Sequence, residues 1–129
     1  VFVVNSGSAE LLDADTGEIT AQTTFLNSVA QIPGGGTKSL LMKDSGGANV
    51  LTVYGDGLEA SAAQSLGNVT RVCQFDGSIY VLSDKELTKY DSQLNVVMSY
   101  PLDDAYSDIT IIGSNAYLLC YNTVQRLAL

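Results

Sequence analysis

The stretch that decides the fold is Leu51–Tyr54 (LTVY), which is followed after three residues by Leu58. The same pattern returns 36 residues later as Leu87–Tyr90 (LTKY), followed after three residues by Leu94. A fixed period of this length is the sequence signature of a repeat architecture. Within each copy, a short β-rich run leads into a turn, which is the pattern of a β-hairpin.

The repeat extends over most of the chain. Tyr80 recurs as Tyr117 after 37 residues, and Asp13 recurs as Asp91 two repeats away. Short runs rich in Val, Ile, Thr and Tyr, cut by Gly, Asp, Asn and Ser, predict fourteen strands in groups of three, four, four and three. These predicted strands include Glu10–Ala14, Glu18–Phe25, Leu58–Ser65 and Ala116–Tyr121.

Four antiparallel strands at this period are typical of a β-propeller blade. The sequence therefore predicts an all-β chain, a β-propeller section with two complete four-stranded antiparallel blades and two incomplete ones. We expect one partial domain over residues 1–129, with approximate blades at 1–28, 29–66, 67–104 and 105–129. Because propellers close as rings, the expected partners are the remaining blades on another chain, a second copy that completes the ring as a homodimer, or another protein.

Composition and charge argue against several classes of protein. The chain is 46% apolar and 16% charged, which indicates a folded domain, and its net charge of −8 with six scattered basic residues argues against nucleic acid. No stretch resembles a membrane-spanning segment or a signal peptide, so we expect no membrane insertion by this segment. Cys73 and Cys120 lie in apolar strand patterns, which favours free thiols over a disulfide between them. The chain has no histidine to activate a cysteine nucleophile.

One segment resembles a known repeat. The run AELLDADTGEIT at residues 9–20 is similar to the repeat of quinoprotein-like (PQQ-repeat-like) β-propellers, which place an apolar pair before Asp-Ala-x-Thr-Gly. Asp13, Thr16 and Gly17 match that phrase, and Asp91 keeps the aspartate in the third unit. The tryptophan with which that family docks its blades is absent. The resemblance implies a propeller of eight or fewer blades, often extracytoplasmic, and many such relatives are non-catalytic scaffolds.

Acidic residues supply the candidate site. Asp103, Asp104, Tyr106 and Asp108 fall in a loop between two blades, on a rim where propellers often bind ligands. Solvated loop acids are the plain interpretation, and a carboxylate pair that hydrolyses glycosides is the alternative. The alternating acids at 13–18 resemble the start of a calcium loop, although a hairpin turn explains every residue there.

The sequence thus predicts a protein that is not an enzyme. We expect a non-catalytic β-propeller scaffold that binds a protein or ligand outside the cytoplasm, with no catalytic, cofactor-binding or metal residues of its own. The alternative is part of a glycan-active propeller enzyme whose site is completed by blades elsewhere. The strand tyrosines, among them Tyr80, Tyr117 and Tyr121, are expected to pack between blades, with an aromatic ligand platform as the other interpretation.

Overall fold

The structure, a computed structural model, describes residues 1–24 and 29–129. In these ranges every regular element is a β-strand, so the all-β prediction is confirmed. The strands are β1 (Phe2–Val4), β2 (Ser8–Leu12), β3 (Ile19–Thr24), β4 (Val29–Gln31), β5 (Lys38–Lys43), β6 (Asn49–Tyr54), β7 (Ala60–Leu66), β8 (Arg71–Phe75), β9 (Ser78–Leu82), β10 (Glu86–Tyr90), β11 (Val96–Pro101), β12 (Asp108–Ile112), β13 (Asn115–Cys120) and β14 (Thr123–Ala128).

These strands form four antiparallel sheets in which chain neighbours pair. The sheets β4–β7 and β8–β11 have four strands each, and the sheets β1–β3 and β12–β14 have three each. The prediction of two complete and two incomplete blades is therefore confirmed. The chain divides into two compact units: unit 1 contains residues 1–32 and 37–67, and unit 2 contains residues 33–36 and 68–129. The predicted blade boundaries stay predictions; the first of them, at residue 28, and the predicted strand end at Phe25 lie outside the described residues.

Unit 1 buries one apolar cluster from its two sheets. Ala9 on β2 and Leu40 on β5 are fully buried, and they pack with Tyr54 and Leu58. Partly buried apolar side chains of β1, including Phe2, cover this cluster. Alternation along each strand sends every second residue to this side, which is why the predicted strand pattern produces a core.

Unit 2 has a larger core of the same design. Leu82 and Leu87, on β9 and β10, are fully buried, and they lie in one cluster with Ala116 and Leu118 on β13. The cluster also contains Tyr106, from the segment that joins β11 to β12. The sheet β8–β11 thus packs one face against one face of β12–β14.

The same aspartate-based turn occurs at two repeat positions, and the first of them shows that a predicted strand end is wrong. The predicted strand Glu10–Ala14 ends at Leu12, because the Asp13 carboxylate accepts the N–H groups of Asp15 and Thr16, both at 2.9 Å. Asp91, two repeats later, accepts the Asn95 N–H at the same distance. The backbone hydrogen bonds hold the pKa of the Asp13 carboxyl below its usual value. At Asp91 the Asn95 side-chain amide, followed by the Asn95 N–H, lowers the pKa in the same way. The repeated aspartate therefore ends a strand and shapes a turn.

The leucine that closes each quoted repeat lies in a turn, so the predicted strand start at Leu58 is wrong. Leu58 and Leu94 have φ of 57° and 60°, and each donates its N–H to a carbonyl three residues back, at 3.0 Å. A left-handed leucine is unfavourable by itself. Both side chains are buried, and this burial offsets the cost of the backbone conformation. The strand that follows Leu58 begins at Ala60.

Candidate functional site

The four residues nominated by the sequence lie at one end of unit 2. Asp103, Asp104 and Tyr106 belong to the segment between Pro101, where β11 ends, and Asp108, where β12 begins. The two aspartates are exposed, whereas Tyr106 is only 4% exposed. The segment is therefore held in place by an aromatic ring in the core and presents its carboxylates to solvent.

Tyr106 links this segment to β14. Its hydroxyl donates to the Asp103 carboxylate at 2.8 Å and also contacts the side-chain amide of Gln125 on β14. The hydrogen bond to Asp103, together with burial and the carboxylate charge, raises the pKa of Tyr106 to about 12. The phenol is thus a protonated donor that fixes the direction of the Asp103 side chain.

Asp104 is oriented by two weaker contacts. Its carboxylate accepts the Ala105 N–H at 2.8 Å, and the Cys120 thiol lies 3.6 Å from its other oxygen. Burial, followed by the charge of Asp104, raises the pKa of the Cys120 thiol. A protonated thiol is a poor nucleophile, so Cys120 serves here as a weak donor to the carboxylate. Cys73 and Cys120 are both free in the structure.

The turn from β13 to β14 adds Tyr121, for which the sequence indicated a ligand platform only as the second interpretation. Tyr121 was predicted to end a strand, but β13 ends at Cys120 and Tyr121 adopts a φ of 53° in a turn with Asn122. Its side chain is 93% exposed, so the predicted packing between blades does not apply to it. The asparagine that follows Tyr121 is the one sequence signal that indicated a turn.

These groups line one open cleft of about 290 Å³. Its chemistry comes from Asp103, Asp104, Tyr106, Cys120, Tyr121 and Asn122. The fourth nominated residue, Asp108, lies outside it on β12, where its carboxylate is 3.5 Å from the Arg71 guanidinium. The structure thus brings three of the four nominated residues together and separates the fourth.

A wider depression of about 680 Å³ lies elsewhere in unit 2. It is lined by Gly35, Gly36, Phe75, Asp76 and Gly77. Three glycines give it few side-chain groups, and Asp76 is its one charged residue. The cleft at Asp103 is smaller but offers two carboxylates, a phenol and an amide, so it is the better candidate for specific recognition.

Neither a metal site nor a membrane-spanning helix is found in the part of the chain that the structure describes. No group of three or more acidic or cysteine side chains among residues 1–24 and 29–129 is arranged to hold a metal ion. In the calcium-like run, the Asp13 carboxylate is engaged by the turn itself. Within the same ranges, no helix has the length and apolar content needed to cross a membrane.

The Tyr106 hydroxyl predicts a specific alkaline transition. We expect one of the seven tyrosines to titrate near pH 12, and the Tyr106→Phe protein to lack that step. Because folding raises this pKa above its ordinary value of 10.0, the stabilisation from Tyr106 is complete below about pH 10 and is lost as pH rises through about 12. Ultraviolet absorbance of the phenolate measures the titration. Tyr121→Phe is the control, and the step near pH 12 should remain in that variant; its loss there would contradict the assignment.

Comparison with known proteins gives a structural likeness. No protein-family model matches the chain, and no curated protein is found to be similar to it. The chain is similar to the crystal structure of BamB from Moraxella catarrhalis, with a TM-score of 0.58 and 13% identity over 88% of this chain and 34% of that one. A protein of unknown function from Bacteroides caccae gives a TM-score of 0.41 and 10% identity over 98% of this chain and 72% of that one.

The chain spans about a third of the length of BamB, and at this identity the likeness concerns the fold alone. The repeat period, the four antiparallel sheets and the similarity to BamB agree with one another. By its fold, the chain is a section of a β-propeller.

Proposed function

We propose that this protein is a non-catalytic β-propeller scaffold whose cleft at Asp103, Asp104 and Tyr121 binds a positively charged segment of a partner protein. The observation that carries the proposal is Tyr121, an aromatic side chain that is 93% exposed beside two carboxylates. Tyrosine is enriched among the residues that dominate binding energy at interfaces. An exposed tyrosine on a tight turn is therefore suited to anchor a partner.

The charge of the cleft supports a cationic ligand. Asp103 and Asp104 are exposed carboxylates, and the basic side chains that form ion pairs in the described residues, Lys38 and Arg71, pair elsewhere. The phenol ring of Tyr121 favours an arginine or lysine over its face. The net charge of −8 adds a long-range attraction for cations that salt screens.

A pair of short peptides tests this proposal. One acetylated peptide carries two arginines, and its twin carries citrulline, which has a similar shape without the charge. We expect the full chain to bind the arginine peptide more tightly in fluorescence polarisation, and the difference to shrink as salt is raised. Tyr121→Ala should weaken binding roughly thirtyfold, since loss of an aromatic anchor commonly costs about 2 kcal/mol.

The matched control compares two exposed turn aspartates. Asp104→Asn should weaken binding and reduce its salt dependence, whereas Asp15→Asn, in the turn between β2 and β3, should leave both unchanged. Equal binding of the two peptides, or an equal effect of the two asparagine variants, would contradict the cleft as the binding site.

The glycan-active alternative is tested in the same cleft. Both carboxylates already accept hydrogen bonds, Asp103 from Tyr106 and Asp104 from Ala105. We propose that they orient a ligand and carry out no hydrolysis. The chain should release no reducing sugar from a panel of oligosaccharides. Turnover that disappears in the Asp103→Asn/Asp104→Asn double variant would establish the alternative instead.

We also propose that the propeller is of the quinoprotein-like type and that it works outside the cytoplasm. The match of Asp13, Thr16 and Gly17 to the quinoprotein-like repeat supports that type of propeller, and in this chain Asp13 and Gly17 build a hairpin turn. Since relatives of that type often work outside the cytoplasm, we propose an extracytoplasmic location. Detection of the protein only in the cytoplasmic fraction of its source cells would contradict this location.

A further inference from the structure

The last sheet, β12–β14, has one covered and one uncovered face. Ile109, Ile111, Ala116 and Leu118 point into the core of unit 2, where each is less than 10% exposed. The alternate residues of the same strands form the other side, which we name the uncovered face: Thr110, Tyr117, Leu119, Val124 and Arg126. Val124 is 61% exposed although it is apolar, and a recess of about 200 Å³ lies on this face.

The internal repeat indicates that this face is a packing surface. Counting back 37 residues from Thr110, Tyr117, Leu119 and Val124 gives Cys73, Tyr80, Leu82 and Leu87. All four of these earlier residues are buried, because the sheet β12–β14 covers them within unit 2. The same repeat positions are therefore buried in one sheet and half-buried or exposed in the next.

The same comparison indicates which side chains would pack on the uncovered face. Against β8–β11, the covering face presents Ala116 and Leu118 on one strand and Leu127, with Gln125, on the next. A partner for the uncovered face needs small and aliphatic side chains at these positions of a blade-type sheet.

The first sheet, β1–β3, carries such a set. Since Asp13 and Asp91 share a repeat position, Leu12 corresponds to Leu127 and Glu10 to Gln125. Val3 pairs with Glu10 as Leu118 pairs with Gln125. Val1 exchanges backbone hydrogen bonds with Leu12. Together these residues form what we name the Val3 face: Val1, Val3, Glu10 and Leu12. None of them is buried, and Val1 is 65% exposed.

The two faces also carry opposite charges. The uncovered face carries Arg126 and the Val3 face carries Glu10, and neither is in an ion pair among the described residues. The Glu10 carboxylate accepts a hydrogen bond from the Gln22 amide at 2.9 Å, which holds it on its sheet. We propose that a second copy of this chain binds with its Val3 face on the uncovered face of the first, so that Glu10 of one copy meets Arg126 of the other.

The proposed contact joins two different surfaces, so it is head-to-tail. Such interfaces generate closed rings when the rotation closes and open chains when it does not. Each added copy would bury the exposed apolar side chains of both faces, which supplies the driving force.

Charge reversal on the full chain tests the contact. We expect sedimentation equilibrium to show association that increases with protein concentration. Arg126→Glu and Glu10→Arg should each weaken it about 100-fold, because like charges then face each other across the contact. Combining both substitutions should restore association, a result that requires the two side chains to meet. Val124→Glu should also weaken association, whereas Val97→Glu, the same change at a 54% exposed valine on β11, should not.

Three results would overturn the proposal. They are a chain that stays monomeric at all concentrations, association that the double reversal fails to restore, or equal sensitivity to Val97→Glu and Val124→Glu, which would indicate pairing through another edge. Circular dichroism of each variant separates loss of folding from loss of contact, and folding should be kept because every substituted side chain is at least partly exposed.

Discussion

Replacing Leu82 with alanine is expected to lower the free energy of unfolding by about 3 kcal/mol, within the usual range of 2 to 5 kcal/mol for buried leucines. Leu82 is fully buried in the core of unit 2, and its loss leaves a cavity that the two packed sheets fill only in part. Chemical denaturation followed by circular dichroism measures the effect.

The repeat provides the matched control. Leu119 is the same amino acid 37 residues later, on the uncovered face of β12–β14, and it is not buried. Leu119→Ala should cost less than about 1 kcal/mol at protein concentrations where the chain is monomeric. If both variants lost the same stability, the assignment of covered and uncovered faces would be wrong.

The second large effect is expected at Gly34. Its φ is 107°, and a Cβ at this position would lie 1.9 Å from the Gln74 carbonyl oxygen. The neighbouring Pro33 carbonyl accepts the Gln74 N–H at 2.8 Å, so the segment is held against the edge of β8 by backbone contacts. Gly34→Ala must break this contact or strain the backbone. We expect a loss of about 2 to 4 kcal/mol in the free energy of unfolding. We also expect faster hydrogen exchange of the Gln74 backbone N–H.

Gly113→Ala separates the two causes. Gly113 also has a positive φ, of 59°, but a Cβ there would meet no atom within 4 Å. Its substitution should cost only the conformational term, about 1 to 2 kcal/mol, and should leave exchange at Gln74 unchanged. A Gly34→Ala protein as stable as Gly113→Ala would show that the segment moves freely away from β8.

The turns show which local conformations can be predicted from neighbouring residues and which cannot. Asp13 and Asp91 could be predicted as turn residues because an aspartate carboxylate caps the backbone N–H groups that follow it. Leu58 and Leu94 could not, since leucine rarely adopts a positive φ. Their conformation depends on burial of the side chain against residues far along the chain, and the repeat alone marked the two positions as equivalent.

The candidate site was predictable in part for the same reason. Asp103, Asp104 and Tyr106 are close in sequence, so one loop could be expected to hold them. Tyr121 was predicted on a strand, and it reaches the cleft because β13 and β14 bring their turn beside that loop. Asp108 was grouped with the acidic run, but it begins β12 and its carboxylate lies near Arg71. Contacts between separate strands decided both outcomes.

The sequence by itself determined the strands, their order and their grouping into four blade-type sheets, because a period of about 37 residues and alternation along each strand are local properties. The tertiary structure alone decided which side of each sheet is covered. Leu82 and Leu119 occupy the same repeat position, yet only Leu82 is buried. Whether a side chain is buried depends on which neighbour packs against it. A repeated pattern specifies which residues share a face of the sheet, but it does not specify what packs on that face.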